Sequence, residues 1–422
     1  MTTGTIPTPK TIEQTGVRRN LLEDLALKVV YLMGEISLLD LSRQIGLNGR
    51  IVEELFEKMR KEQLCQVTAM DRGVHRITTT TTGKSRALEL LKQNQYAGVA
   101  PVSLSEYTKR IAAQSVLEIR VTPGSVAKAF EDMVLEAETL NQLGTAVVSG
   151  RALFLYGPTG TGKSFIAETL TSLFENDRVW VPYAVEVDGQ IITIYDPVLH
   201  RKTEHPKGHD QDARWVLCHR PHVLVGGELT IEMLDLQLNP STGFYTGPLQ
   251  MKANNGILIV DDFGRQRVSP EELLNRWVVP LERRIDFVTL AGGRKIEIPF
   301  DLFLVFATNM DPAKLIDEAF LRRIQTKIKV GFVTPEQFHE IFRRVCLHFK
   351  LAHSQAAAEE LIRIIGEQYK EPLRACYPRD ILRQVVWTAQ YLQREPVLDM
   401  ESVTQACRAY FLETEPDHEP AG

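Results

Sequence analysis

The segment ALFLYGPTGTGKS, residues 152–164, contains the residue types and spacing that most clearly indicate chemistry. An apolar stretch typical of a buried parallel strand leads into Gly157, four further residues, and then Gly162, Lys163 and Ser164, which is the spacing of a phosphate loop that opens a helix. Glycines in such a loop let backbone N–H groups approach phosphate oxygens, and the helix directs its positive end at them. We expect Lys163 to contact the β and γ phosphates of ATP and Ser164 to bind Mg²⁺. The predicted nucleotide-binding residues are Gly157, Pro158, Thr159, Gly160, Thr161, Gly162, Lys163 and Ser164.

A second motif, GILIVDDFGR at residues 256–265, places two carboxylates at the end of another apolar strand. Because the carboxyl ends of strands in an α/β sheet share one edge, we expect Asp261 and Asp262 beside the phosphate loop. Asp261 is predicted to hold Mg²⁺ with Ser164, mostly through water. Asp262 is predicted to be the base that orients the attacking water. The two motifs together predict an ATPase.

Polar residues at three later positions are further candidates for this site. A third apolar strand, in LFLVFATNMDP, ends in Thr308 and Asn309, where a polar side chain can hydrogen-bond the attacking water. DEAFLRRI contains Arg322 and Arg323, and CYPRDILRQ places Arg379 at a predicted helix start. Guanidinium groups suit phosphate because they bind in a forked geometry and stay charged.

Length and composition limit the possible classes of protein. The 422 residues are enough for about three domains, and 44% hydrophobic with 24% charged residues is typical of a soluble globular protein. A net charge of −5 excludes nucleic-acid binding by overall charge but not by a local basic patch. The polar N-terminal sequence has no signal-peptide core, and no apolar run reaches the roughly 20 residues of a membrane span. We therefore expect a cytoplasmic protein without a membrane span.

Cysteine and histidine usage leaves one question open. The cysteines form no CxxC pair, which predicts reduced packing residues rather than disulfides. One segment is rich in potential metal ligands, namely His200, His205, His209, Cys218, His219 and His222. Their spacing matches no usual zinc pattern, so a metal site and a polar loop whose His and Arg side chains face water are both possible.

Residues 17–96, after a leader over 1–16 that is predicted to be disordered, have the layout of a winged helix. Capping boxes are predicted at Asn20 with Glu23 and at Ser37 with Asp40, and a second helix is predicted to end at Gly46. The apolar stripe predicted for the first helix is Leu21, Leu25, Val29 and Leu32. A third helix from about Asn48 should bury Ile51, Leu55 and Met59, and a hairpin should follow about Asp71, Arg72 and Gly73.

The charges of this unit do not decide its partner. The third helix would present Arg50 and Lys58 outward, but also Glu53, Glu54 and Glu57, which repel phosphates. The wing offers Arg72, His75, Arg76 and Lys84. DNA binding, protein docking and a purely structural role are all possible for this unit.

The remaining divisions follow from composition and periodicity. A linker over 97–145 is expected to pack against a core over 146–333, which contains hairpins about Asp188 with Gly189 and about residues 291–293. Residues 334–413 contain four helical patterns and predict an α-helical lid, with Leu382, Val386 and Ala389 on a buried face. The tail, 414–422, is polar and predicted to be disordered.

The phosphate loop, the acidic strand end, Asn309, the arginine pair and Arg379 occur in the order of an AAA+ ATPase, which this chain resembles over about residues 146–413. The resemblance implies that Asn309 is sensor 1, that Arg323 or its alternative Arg322 is an arginine finger, and that Arg379 is sensor 2. We favour Arg323 because it directly precedes the apolar Ile324, with Arg322 as the alternative or as an interface ion-pair partner. Most relatives have glutamate at the position of Asp262, although replication initiators and helicase loaders with a similar core share the aspartate.

Finer resemblances indicate a branch of this family. The hairpin before Asn309 is similar to that of MoxR-type ATPases and bacterial enhancer-binding activators. GFYTGP at residues 243–248 resembles the activators' GAFTGA loop, but its position and surroundings differ, so sigma-factor remodelling is not inferred. GGELT, PLQMKANNGILIVDDFGRQR and DEAFLRRI resemble a bacterial family with an N-terminal winged helix, labelled predicted ATPases with chaperone activity.

The sequence thus predicts an α/β fold: a P-loop NTPase AAA+ core with a parallel sheet in a three-layer sandwich, an N-terminal winged helix and a C-terminal helical lid. The expected function is ATP hydrolysis by a ring-shaped homo-oligomer, a hexamer being favoured, that remodels a macromolecular and more specifically a protein partner. The alternative is an ATP-controlled DNA-binding regulator acting through the winged helix, and a third reading is an ATP-bound scaffold with little turnover. ATP, ADP and Mg²⁺ are the expected ligands.

Overall fold

Residues 4–204, 211–312 and 321–412 are described by the structure, a computed structural model of the chain. Some predicted features lie outside these ranges, namely His205, His209, the first half of DEAFLRRI, the start of the leader and the tail over 414–422. Within the described ranges, no helix is both long enough and apolar enough to cross a membrane.

The N-terminal unit contains the three predicted helices and the predicted hairpin, together with a short strand and a fourth helix that were not predicted. The fourth helix contains Lys84, which therefore lies outside the hairpin. Its helices are α1 (Arg19–Met33), α2 (Leu38–Ile45), α3 (Gly49–Lys61) and α4 (Thr81–Gln93), and its strands are β1 (Glu35–Ser37), β2 (Cys65–Asp71) and β3 (Val74–Thr79). The strands form one antiparallel sheet in the order β1-β3-β2. Between β2 and β3, Arg72 and Gly73 have φ values of 46° and 81°, as a tight type I′ turn requires. The predicted hairpin is confirmed.

Side-chain caps explain where two of these helices begin. The Ser37 hydroxyl accepts a hydrogen bond from the Asp40 N–H at 3.0 Å, and the Asn48 side chain accepts one from the Arg50 N–H at 3.0 Å. Each satisfies a donor that the first turn of a helix leaves unpaired. Helix α2 ends at Gly46, which has a left-handed φ of 67°. These predicted boundaries are confirmed.

The prediction for α1 is wrong in two details. Because the helix begins at Arg19, Asn20 lies inside the first turn, and its side chain accepts a hydrogen bond from the adjacent Leu21 N–H instead of capping the helix. Leu32 is 56% exposed, because the last turn of α1 extends beyond the apolar core that contains Leu25 and Val29.

The linker contains one short strand, three α-helices and a 3₁₀ turn at Val116–Glu118, and it packs against the core as predicted. The strand and the α-helices are β4 (Val102–Ser103), α5 (Leu104–Ala113), α6 (Pro123–Ala129) and α7 (Ala137–Ser149). The Gln114 side chain exchanges two hydrogen bonds of 2.9 Å with the Trp180 backbone, and the Tyr107 hydroxyl donates to the Met251 carbonyl at 3.2 Å. Helix α7 crosses the predicted linker–core boundary at residue 146; the domain boundaries stay predictions.

The core has many short strands and few helices. Its strands are β5 (Ala152–Tyr156), β6 (Arg178–Pro182), β7 (Ala184–Val187), β8 (Gln190–Thr193), β9 (Trp215–His219), β10 (His222–Val225), β11 (Gln237–Asn239), β12 (Phe244–Thr246), β13 (Ile257–Val260), β14 (Ile285–Thr289), β15 (Lys295–Pro299), β16 (Phe303–Thr308) and β17 (Thr326–Lys329). Its helices in the described ranges are α8 (Lys163–Leu170), α9 (Leu249–Ala253) and α10 (Pro270–Arg283).

Five of these strands form a parallel sheet in the order β10-β13-β16-β5-β17. Successive side chains of a strand point to opposite faces. Along β5, Leu153 and Leu155 therefore pack with α7 and α8, whereas Ala152 and Phe154 pack on the side of α10. Helices cover both faces of the sheet, which confirms the predicted three-layer α/β core.

A second sheet, in the order β11-β12-β8-β7-β4, lies between the N-terminal unit and the core. Asp188 and Gly189, with φ values of 53° and 83°, form the predicted turn between β7 and β8. The hairpin of β14 and β15 is also confirmed. GFYTGP is not an exposed loop, because it contributes β12 to this sheet and Tyr245 is buried.

The described part of the His-rich segment is not a polar loop that faces water. It contains β9 and β10, and the side chains of His200, Arg214 and Arg220 are buried. His200 accepts a hydrogen bond from the Asp196 N–H at 2.9 Å and bonds the Lys252 carbonyl at 2.8 Å. Among the described residues, no three His, Cys, Asp or Glu side chains are grouped to hold a metal ion. The buried side chains are instead hydrogen-bonded within the protein.

The segments on either side of the N-terminal unit are joined to the core by polar contacts, and the unit itself is joined to it by apolar contacts. The Arg214 guanidinium, 1% exposed, pairs with Asp212 and donates to the carbonyls of Thr15 at 2.8 Å and Pro101 at 3.3 Å. The apolar core of the unit also includes Ala184 and Ile191 of the β7–β8 hairpin.

The C-terminal part is helical, as predicted for the lid. Its α-helices are α11 (Pro335–Phe349), α12 (Gln355–Arg363), α13 (Tyr377–Tyr391) and α14 (Met400–Tyr410), with a π-helical turn at Ile364–Gln368. Leu382 and Ala389 are buried, as predicted. Val386, the third residue of the predicted face, is partly buried and packs against the apolar core of the lid, which contains Leu382.

Candidate functional site

The phosphate loop connects β5, the second strand from one edge of the parallel sheet, to α8. It places Gly157, Pro158, Thr159, Gly160, Thr161, Gly162, Lys163 and Ser164 where the carboxyl ends of the parallel strands meet. Gly157 is required sterically, because a Cβ there would lie 2.1 Å from the Val330 carbonyl oxygen. The adjacent segment after β17 therefore fixes where the loop begins.

Lys163 is held inside the loop. Its ammonium donates to the Pro158 carbonyl at 2.7 Å, and the Thr161 hydroxyl donates to the same carbonyl at 2.9 Å. Burial lowers the pKa of Lys163, while the nearby carboxylates of Asp261 and Asp262 act in the opposite direction. A partly desolvated cation favours an anionic ligand such as phosphate.

The predicted magnesium ligands lie together. Ser164, at the start of α8, donates from Oγ to Oδ1 of Asp261 at 3.0 Å. Asp261 follows β13 and is fixed by its backbone N–H, which donates to the Val225 carbonyl at 2.8 Å. Hydroxyl and carboxylate oxygens are the ligands that Mg²⁺ prefers, so these residues fit the metal.

Asp262 is exposed at the same sheet edge. Its φ of 48° is left-handed, and its N–H donates to Oδ1 of Asp261 at 2.9 Å. This turn presents the Asp262 carboxylate to solvent rather than to the core. Glu228 is a second carboxylate, after β10; the Gly226 N–H donates to it at 3.0 Å and holds its pKa below the usual value.

The strand between β13 and β5 contributes Asn309. Its side-chain amide donates to the Thr159 hydroxyl of the phosphate loop at 3.1 Å. Thr308 is buried and donates to the Phe263 carbonyl at 2.6 Å, so its role is structural. Asn309 therefore faces the loop, and Thr308 holds the turn after Asp262.

Arg322 and Arg323 lie at the opposite end of the strands from the phosphate loop. They directly precede β17, which is parallel to β5, and Arg323 lines a small cleft with Ala152, the first residue of β5. Four residue steps along β5 separate this end of the strands from the phosphate loop by about 13 Å. Arg323 is paired with Glu282 at 2.6 Å, whereas Arg322 is exposed.

The predicted lid residue Arg379 does not contact the loop in this structure. It is more than half exposed and pairs with the adjacent Asp380 at 3.1 Å. The lid instead contacts the loop through the residues just before α13. The Cys376 N–H donates to the Gly160 carbonyl at 3.1 Å, and Arg374 donates to the Thr159 carbonyl at 3.4 Å.

These contacts define one site at the carboxyl edge of a parallel sheet. Its adjacent strands β5, β16 and β13 lead into the phosphate loop, Asn309 and the acidic pair, and a helical domain that follows contacts the loop. The fold is that of an AAA+ core.

Comparisons with known proteins add a family match for the lid and distant structural neighbours. Residues 334–409 match a domain of unknown function, DUF8689. No match was found among curated proteins. The RuvB Holliday junction branch migration motor of Thermotoga maritima is 16% identical with a TM-score of 0.36, over 68% of this chain and 70% of that chain. A mutant of that RuvB is 14% identical with a TM-score of 0.37, over 69% and 72%. Because TM-scores below 0.5 do not define a shared fold, the AAA+ core rests on the strand order and loop geometry above.

Sequence patterns did not indicate Met133 as a further neighbour of the phosphate loop. The Met133 side chain lies 4.0 Å from where a Cβ of Gly162 would be. The backbone around Met133 is held by Arg344 of α11, which donates to the carbonyls of Glu131 and Met133. Linker and lid therefore meet beside the phosphate loop.

Proposed function

We propose that this chain binds ATP with Mg²⁺ and hydrolyses it to ADP and phosphate. The observation that supports this best is the 3.0 Å contact between Ser164 Oγ and Asp261 Oδ1. It joins the predicted magnesium ligands of two motifs that are 97 residues apart in the chain. A chance glycine-rich turn would give no reason for this pairing.

Each residue of the site has a distinct proposed task. The N–H groups of residues 159–164 and the Lys163 ammonium bind the phosphates, and Ser164 and Asp261 would hold Mg²⁺, which neutralises charge on the phosphates when bound. Asp262 orients water and accepts its proton, and Asn309 fixes that water from the adjacent strand. Arg379 reaches the nucleotide from the lid.

We further propose that the site is shared between subunits of a ring, with a hexamer favoured. Arg322 and Arg323 lie at the ends of the strands that are farthest from their own phosphate loop. An arginine finger from this pair would therefore act on a neighbouring subunit. The pairing of Arg323 with Glu282 favours Arg322 as the residue that reaches the neighbour. In that case Arg323 positions the turn.

The work of the ring is proposed to be remodelling of a protein partner in the cytoplasm, as in the chaperone-like family that the sequence resembles. Its N-terminal unit is proposed to be a winged helix, which the hairpin of β2 and β3 after three helices supports.

Charges on the described surface of α3 favour docking over DNA binding. Lys58 pairs with Glu62, and Arg60 pairs with Glu57, so these two exposed cations of the helix are locally neutralised. On the wing, Arg76 pairs with Glu35. Salt-dependent binding of the whole protein to duplex DNA would instead support the DNA-binding regulator.

Loss of the Lys163 charge tests the proposed function directly. We expect Lys163→Ala to weaken ATP binding by about 10- to 100-fold, because a charged hydrogen bond to phosphate is lost. Nucleotide titration measures this, and circular dichroism checks that the fold is retained. Lys92→Ala removes an equal charge from the end of α4 and should leave the affinity unchanged. Undiminished affinity in folded Lys163→Ala would exclude the loop as the site.

A further inference from the structure

The lid residue that approaches the phosphate loop most closely with a charged group is Arg374. Its Nη1 donates to the Thr159 carbonyl at 3.4 Å, and its side chain lies 3.2 Å from where a Cβ of Gly160 would be. Arg379, the arginine that the sequence motif indicates, is directed at Asp380 instead. Two lid arginines five positions apart therefore have different surroundings.

Arg374 is held in place on several sides. Nη2 donates to Glu371 at 2.8 Å, and the guanidinium lies 5.7 Å from the centre of the Tyr377 ring. Together with the packing on Gly160, these contacts restrict the rotamers of a side chain that otherwise loses much entropy on binding. The guanidinium is thus positioned at the phosphate loop before any ligand arrives.

The donors of Arg374 are incompletely used. Its Nε is buried and has no hydrogen-bond partner among the described residues, and the bond from Nη1 is at the long end of the range. A buried donor without a partner costs free energy, so it is usually matched by an acceptor. The feature next to it is a loop built to hold phosphate oxygens, which accept forked bonds from arginine.

The position of Thr159 indicates which phosphate is involved. Its hydroxyl accepts from Asn309, the residue on the side of the attacking water, while its carbonyl accepts from Arg374. One loop residue therefore lies between the hydrolytic side of the site and the lid. A hydrogen-bond donor beside Thr159 would contact the terminal phosphate, which ATP has and ADP lacks. Such a donor would therefore bind ATP more tightly than ADP.

We propose that Arg374 is a nucleotide-binding residue of the lid that recognises the terminal phosphate of ATP and thereby couples lid position to the nucleotide state. This inference rests on the proposed ATP site and extends it to a residue outside the sequence motifs. Arg374 acts in addition to Arg379 and from within the same subunit.

The test compares Arg374→Gln, Arg374→Lys and wild type in the full-length protein. Titration with a non-hydrolysable ATP analogue and with ADP gives the two affinities. We expect Arg374→Gln to weaken the ATP analogue at least about tenfold and ADP less than about threefold, because only the triphosphate loses a charged bond. Arg374→Lys keeps the stem against Gly160 and the charge, and should restore part of the loss.

Arg363→Gln is the matched control, because Arg363 is a lid arginine paired with Glu360 on α12. It should change neither affinity. Equal losses for ATP analogue and ADP in Arg374→Gln would show that Arg374 only attaches the lid to the loop, and unchanged affinities would show that it does not bind nucleotide; either result overturns the proposal. Wild type that binds no nucleotide would overturn the ATP site itself, which is a different result.

Discussion

The side chain of Asp262 is one methylene shorter than the glutamate that most AAA+ proteins have at this position. Its carboxylate therefore reaches less far from the backbone. The left-handed turn at Asp262 directs the carboxylate to solvent, and the Gln266 side chain donates to the carbonyls of Asp261 and Asp262 at 2.8 and 3.2 Å. The hydrogen bonds from Gln266 therefore fix the backbone from which the short Asp262 side chain projects. The proposed orientation of water by Asp262 thus depends on this turn as well as on the carboxylate.

Asp262→Asn is expected to bind ATP normally but to hydrolyse it about 10²- to 10⁴-fold more slowly, because the amide cannot accept the proton from water. Steady-state phosphate release and nucleotide titration measure the two properties separately. Glu228→Gln, which changes the other carboxylate at this edge, should retain turnover. Near-normal hydrolysis by Asp262→Asn would move the base to Glu228 or Asp261.

His222 is a titratable group in the interior at the edge strand β10. Burial, with a contribution from Arg201, lowers its pKa to about 4, and its Nε2 is buried without a hydrogen-bond partner in the described part of the chain. The folded protein thus favours the neutral imidazole. The unfolded chain takes up the proton first as the pH falls.

The stability contributed by neutral His222 should therefore be present above pH 6.5 and lost as the pH falls from 6.5 to 4. Between pH 7.5 and 5, we expect the unfolding free energy of wild type to drop by about 1–2 kcal/mol more than that of His222→Leu. Urea unfolding at the two pH values measures this difference. An equal drop in both proteins would show that His222 titrates normally in the folded state.

At the scale of elements, local sequence patterns predicted the residues of the phosphate-loop site, but they did not predict the residues that pack around it. The phosphate loop, Asp261 and Asn309 follow apolar strands whose period and glycine spacing are visible in the sequence. Arg374 and Met133 could not be found this way, because they reach the loop from segments that are distant in the chain and lack a local signature. Arg220 and Arg214 looked like surface charges for the same reason: their acceptors are backbone carbonyls of remote segments.

Helix α4 depends on a glycine that also lay outside any motif. A Cβ at Gly83 would be 1.9 Å from the Leu64 carbonyl oxygen, so α4 approaches the start of β2 at backbone distance. The Thr80 hydroxyl, which caps α4, donates to the Gln63 carbonyl at 2.6 Å and fixes the same approach. The helix cannot move away without breaking this contact.

Gly83→Ala should consequently destabilise the N-terminal unit by about 2–3 kcal/mol or more, as overpacking against backbone does. Gly49→Ala is the matched control in the first turn of α3, where a Cβ would meet nothing within 4 Å. That substitution should be neutral or slightly stabilising. Thermal and denaturant unfolding of the two variants provide the comparison, and equal stabilities would contradict the steric argument.

At the scale of the whole molecule, the positions of the phosphate loop and the arginine pair at opposite ends of the parallel strands predict that ATP hydrolysis requires a ring oligomer. The proposed nucleotide site lies at the carboxyl ends of the strands, and the arginine pair lies at their amino ends. A finger arginine supplied by a neighbour can be worth about 10³- to 10⁵-fold in rate. ATPase activity should therefore increase with protein concentration as rings form.

Mixing experiments test this sharing. Arg322→Ala and Lys163→Ala should each be nearly inactive alone, whereas their mixture should regain part of the activity where an intact arginine meets an intact loop. Arg323→Ala, tested in the same way, determines which arginine of the pair acts in the neighbour. A wild-type enzyme with constant specific activity down to a demonstrated monomer would contradict a shared site.

The buried arginines of the core also have a consequence for evolution and dissection of the chain. Arg214 and Arg220 donate to the carbonyls of Thr15, Pro101 and Gln114, which belong to the segments on either side of the N-terminal unit. A fragment starting at residue 146 would leave both guanidinium groups short of acceptors, at a cost of about 1.5–3 kcal/mol for each charged hydrogen bond that is lost. The segments that flank the N-terminal unit are therefore tied to the core. A recombination event that moves the unit with these segments onto another core would need a recipient that has these arginines and the strand pair around them.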